Sequence, residues 1–182
     1  MSPAEMSTTA ARSITDRMLG ALRLDDGTYE EVEADTTATG QAAFVVVGSS
    51  LVAAAGNALL RGGAVDGGIL VAIAQLVGWA VNAWLAYIIG TKVIPGPQTR
   101  STWGEVARTL GFANTPRFFL LFVAVPGLTG LVRTVVSVWV LVATLIALRS
   151  ALDCGTGRAL AVAVVSTLAQ LAIIAFVVNT LG

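Results

Sequence analysis

The side chains able to bind or react sit at a few points of an otherwise apolar chain. Gln75, Gly78 and Asn82 are spaced three and four apart, so a helix places them on one face. Asn114, Pro116 and Arg117 open a later apolar run, and Gln170 lies inside the last one, behind Ser166 and Thr167. Neutral amides beside a small residue suit close helix packing and interhelical hydrogen bonds in lipid. The same groups could line a path for solute or lipid. With no titratable partner beside Gln75 and Asn82, packing is the preferred reading there, and the seven residues together are candidate interhelical or partner contacts. Asn114 with Arg117 could also hold a lipid headgroup, but a helix cap and a snorkelling anchor is the simpler account.

Other chemistries are harder to build. The chain has no histidine, which removes the commonest general base and zinc ligand and every histidine-dependent triad. The four carboxylates of Glu30, Glu31, Glu33 and Asp35 have a spacing that fits no calcium loop, and a solvated acidic helix is expected there. Glu30-Glu31 resembles the acidic pair of a membrane protease, yet no histidine or correctly spaced helical arginine accompanies it. One cysteine, Cys154, excludes an internal disulfide. No cofactor or metal is expected. No basic patch is dense enough for nucleic acid.

The elements that must position these residues are membrane helices. Of 182 residues, 55% are apolar and 12% charged, about half the charge of a soluble domain. The expected fold is all-α: a polytopic membrane bundle of about five transmembrane helices behind an N-terminal amphipathic segment. Residues 1–40 form a cytoplasmic segment and 41–182 a membrane domain, with spans near 42–60, 69–89, 112–128, 131–148 and 159–181. Residues 1 to about 12 read as disordered, with no removable signal peptide. From Ser13 to Leu24 a short amphipathic helix is expected, lying on the membrane or packed against the protein's own spans. Asp25-Asp26-Gly27 reads as a turn, and Asp35 or Thr36 as the cap of the first span. Arg61 to Gly68 reads as another short turn. Thr102 to Leu110 reads as a short helix with Trp103, Val106 and Leu110 on one side. Pro126 to Gly130 joins two apolar segments into a hairpin. In it Thr115 caps a helix that begins with Pro116 in its first turn, after a break at Gly111.

The third segment is the weakest, with 17 residues that include Asn114, Pro116, Arg117 and Pro126. If all five segments cross with the N-terminus inside, nine basic residues lie inside and only Arg61 and Arg133 outside. If the third merely dips in, the division is eight to three. Five crossings obey the positive-inside rule better.

Gly111-Phe112 followed by Pro116 is similar to the Gly-Tyr-x-x-x-Pro of the Yip1 family. Tyr29–Gln41, Trp139–Arg149 and Gly157–Ala161 also resemble stretches of bacterial members, so the resemblance runs from Met18 onward. It implies five spans and a cytoplasmic N-terminus. In eukaryotic members it implies vesicle traffic with Rab-type GTPases. Phe112 stands where the family usually has Tyr, and the eukaryotic N-terminal motifs have no counterpart here, so a bacterial-type member is expected. The expected function is therefore non-enzymatic: a multi-pass protein of the cell membrane, N-terminus cytoplasmic and C-terminus outside, that organises or recruits partners in the bilayer. Its partners would be membrane lipids and a membrane protein or a second copy. A small transporter or lipid-handling protein is the alternative, and an intramembrane enzyme the third.

Overall fold

A computed structural model describes residues 12–63, 68–97 and 99–181. Among them the regular structure is entirely helical. Two short helices, α1 (Ile14–Leu22) and α2 (Asp26–Ala34), precede four long ones. These are α3 (Ala38–Arg61), α4 (Gly68–Ile88, continued by a π-turn over Ile89–Val93), α6 (Thr129–Ala151) and α7 (Thr156–Leu181). Between α4 and α6 lie α5 (Trp103–Phe112) and a 3-10 helix, Thr115–Ala124. The expected disorder over 1–12 falls, but for Arg12, outside the described residues, as do positions 64–67 of the turn after Arg61.

The four long helices are long and apolar enough to cross a membrane. Their outward faces fit lipid: Ile69, Leu70 and Phe176 are 80, 73 and 70% exposed, which water would penalise and hydrocarbon does not. The inward faces carry small residues. Ala42, Ala83, Ala86, Ala143, Ala147 and Ala159 are all buried, so the backbones approach closely enough for dispersion to hold them.

The third segment departs from expectation. The residues from 112 to 128 do not form one α-helix; a ten-residue 3-10 helix stands there instead. The chain does not break at Gly111 either, because α5 runs through it to Phe112. Gly111 serves close approach: a Cβ there would lie 2.6 Å from Ala42 Cβ. Thr102 starts α5 with a capping box, accepting from Glu105 N while Glu105 Oε2 accepts from Thr102 N. The junction with the 3-10 helix is built from side chains. Pro116 has no N–H to offer the Phe112 carbonyl, and Thr115 Oγ1 donates to that oxygen instead, at 2.6 Å. Asn114 Nδ2 donates to the Leu110 carbonyl at 2.8 Å. Thr115 thus satisfies the end of α5 and does not cap the next helix, although Pro116 does sit in the first turn as expected. The composite segment runs alongside α3, with Phe118 against Gly48 and the Leu120 carbonyl against Gly56.

The N-terminal segment also differs. Asp25-Asp26-Gly27 is no free turn: Asp25 caps α2, its carboxylate accepting from Thr28 N at 3.0 Å, and α2 begins at Asp26. α1 packs against the protein's own helices. Its Arg17 is fully buried, donating to Glu31 at 2.5 Å, to Asp35 and to Gln41. The acidic helix is therefore not simply solvated, since Glu31 and Asp35 hold Arg17 while Tyr29 and Val32 are buried. Asp35 Oδ1 also accepts from Thr37 N just ahead of α3. Four further bonds fasten this hairpin to the bundle. Arg108 donates to the Val32 and Glu33 carbonyls at the end of α2. Ser150 Oγ donates to Glu33 at 3.0 Å, and Trp139 Nε1 to the Leu22 carbonyl at 3.1 Å. Each otherwise exposed helix-end carbonyl thereby gains a donor.

Candidate functional site

α4, the α5/3-10 junction, α6 and α7 enclose a cavity of about 250 Å³. Polar side chains reach it from each of these elements. Gln75, Gly78 and Asn82 come from α4 on the one face their spacing defines. Asn114 and Arg117 come from either side of the junction, and Ser166, Thr167 and Gln170 from α7. Six of the seven candidate residues therefore meet in one place. Pro116 does not line it and is buried at the junction.

The hydrogen bonds divide the group. Gln170 Nε2 donates to the Gly78 carbonyl at 2.9 Å, a direct α7–α4 link. A glycine suits the acceptor position: even its ideal Cβ would lie 3.4 Å from that nitrogen. Asn82, by contrast, makes no hydrogen bond to a described residue, so the expected interhelical bond is absent there. Ser166 is occupied with its own helix, donating to the Ala163 carbonyl. Trp79 walls the site and donates to the Ala107 carbonyl at 3.0 Å, fixing α5 against α4.

Arg117 is the one charged group lining the cavity among the described residues. It does not snorkel outward as an anchor would. Its Nη1 donates to Asn114 Oδ1 at 3.1 Å and reaches Gln75 Oε1 at 3.5 Å. Both acceptors are neutral, and no carboxylate of a described residue lies within ion-pair distance. The short 3-10 turn after Pro116 aims the side chain across the bundle. A third segment that begins at Phe112 predicts Arg117 near the membrane surface. In the fold α5 precedes it, so position 117 lies mid-segment.

Thr144 of α6 also lines the cavity and was not anticipated. One signal was legible, a hydroxyl within an apolar run. Glu30 and Glu31 form no acidic pair: Glu31 is spent on Arg17 while Glu30 is exposed. Among the described residues no group of three potential metal ligands forms.

No curated protein and no solved structure matches the chain. The Yip1 domain family does match, over residues 22–178. That range runs from the N-terminal hairpin almost to the end of α7 and takes in every residue of the cavity. With that match and four helices suited to crossing a bilayer, the chain is a membrane protein and belongs to the Yip1 domain family.

Proposed function

We propose that the chain is a non-enzymatic, multi-pass protein of the cell membrane that organises or recruits partners in the bilayer. Those partners are lipids together with a second membrane protein or another copy of the chain. The observation that carries this reading is the chemistry of the cavity. Neutral amides, hydroxyls and one guanidinium offer hydrogen bonds and charge, which bind, and no described carboxylate or other base lines the cavity to activate the hydroxyls. In this reading the chain crosses five times, with α5 and the 3-10 helix together making the third crossing. The N-terminal hairpin then faces the cytoplasm and the C-terminus lies outside.

Affinity capture of the full chain in mild detergent, repeated through any captured protein, tests the reading. A stoichiometric partner or a second copy supports it, and a chain recovered alone sinks it. A second reading, a small transporter or lipid-handling protein, is favoured by the cavity itself, since a bundle held only by packing has no need of one. Reconstituted vesicles that move solute or lipid would select that reading.

A further inference from the structure

Beside the polar cavity lies a second space of about 430 Å³ between α6 and α7. The two share Asn82, Val140, Thr144, Ala163 and Thr167, so they adjoin across those side chains. The second is apolar, walled by Leu141, Leu160, Val164 and Leu168, whose side chains are also exposed on the lipid face. Arg117 stands in the polar space with Nε and Nη2 donating to no described residue. A guanidinium has five N–H donors and does not lose its proton. The residue is half-buried and its Nε and Nη2 stay accessible from the cavity, so its charge is unpaired by any described carboxylate yet reachable. What pairs with it is an anion, and the route open to one is an apolar groove facing lipid.

We infer that Arg117 and the α6–α7 groove form a binding site for an acidic phospholipid. The phosphate sits on the Arg117 guanidinium, with Asn82 and Thr144 within the same space as additional donors. An acyl chain lies along Leu141, Val164 and Leu168 and leads back to the bilayer. A guanidinium matches phosphate oxygens two at a time, which an ammonium does not. This inference gives the recruiting role proposed above its lipid, and it rests on that reading only for the consequence of binding.

The full chain in a neutral detergent, titrated with phosphatidylglycerol while its thermal midpoint is followed, tests the site. Phosphatidylglycerol should raise the midpoint, and phosphatidylcholine and inorganic phosphate should do so much less. Arg117→Gln should weaken the apparent affinity by about tenfold or more, as expected for a lost charged hydrogen bond, with Arg117→Lys in between. Val164→Trp, which fills the groove, should weaken it too. An equal response in Arg117→Gln, or one that inorganic phosphate reproduces, would overturn the proposal. Because Arg117→Gln could unfold the chain, the native protein is also cross-linked to a photoreactive phosphatidylglycerol. Adducts within residues 137–144 and 160–168 support the site, and adducts confined to other helices refute it. A protein partner captured equally well by folded Arg117→Gln would leave the recruiting role standing while the lipid site failed.

Discussion

Arg17 shows how a single residue ties the N-terminal hairpin together. Its guanidinium is fully buried against Glu31 and Asp35, whose side chains keep 30 and 23% exposure. Arg17→Met should cost about 1–3 kcal/mol, less than a fully buried pair because the carboxylates can return to water. Limited proteolysis around residues 23–26 should then quicken. The same contact carries a pH dependence. The Thr37 hydroxyl, and after it Arg17, hold the Asp35 carboxyl at about 2, below its ordinary 3.8. A depressed carboxyl contributes stability above its unfolded value and loses it as pH falls through the folded one. Asp35→Asn should thus be less stable than the parent at pH 7, and the gap should close between pH 4 and about 2 in thermal melts. In the bundle, Gln170→Leu removes the interhelical donor to the Gly78 carbonyl. It should cost about 0.6 kcal/mol, up to about 1.7, whereas Asn82→Leu should leave the melting midpoint unchanged because no bond is lost.

At the scale of the element, the composite third segment gains length from its geometry. A 3-10 helix rises about 2.0 Å per residue against about 1.5 Å in an α-helix. The ten residues of the 3-10 helix therefore extend about 20 Å, against about 15 Å for the same residues in an α-helix. The three-residue repeat also aligns Phe119 with Phe122, whose rings stack at 6.3 Å, and Phe119 stacks on Trp139 at 5.5 Å. Pro116→Ala should cost about 0.4–1 kcal/mol, through the freer unfolded chain and not through a lost bond. Gly56→Val should do more damage. Its Cβ would meet the Leu120 carbonyl oxygen at 2.3 Å, a backbone atom that cannot turn aside. About 1–3 kcal/mol of overpacking should appear as a lower midpoint, while Gly130→Ala, which meets nothing within 4 Å, serves as the control.

For the whole molecule the open matter is sidedness. Arg133 Nη2 donates to Asn57 Oδ1 at 2.6 Å, joining the start of α6 to the end of α3. Ser150 at the other end of α6 reaches Glu33 of the N-terminal hairpin. In the proposed five-crossing arrangement, with Arg117 drawn into the bundle, eight basic residues fall on the hairpin side against Arg61 and Arg133 on the other, the asymmetry expected of a cytoplasmic hairpin. Reporter fusions at Ser7 and after Gly182 should therefore report opposite sides. The same side for both would remove one crossing.

The sequence by itself determined the all-helical membrane class, the four long apolar helices to within a few residues and the shared face of Gln75, Gly78 and Asn82. Each of these is written in local composition and periodicity: apolar runs of crossing length, and the 3.6-residue repeat. Only the tertiary structure decided that this face meets Asn114, Arg117 and Gln170 around one cavity, since residues 42 and 92 positions apart in Arg117–Gln75 and Gln170–Gly78 leave no periodic trace. It likewise decided the fate of Arg17 and Arg117. A cation beside apolar residues reads as a surface anchor, because exposure is the default for charge. What buries Arg17 is a pair of carboxylates on the next helix, and what draws in Arg117 is a 3-10 turn that redirects its side chain. The 3-10 geometry itself arises where Pro116 removes a donor and Asn114 and Thr115 satisfy the freed carbonyls, a settlement that depends on atoms meeting in space.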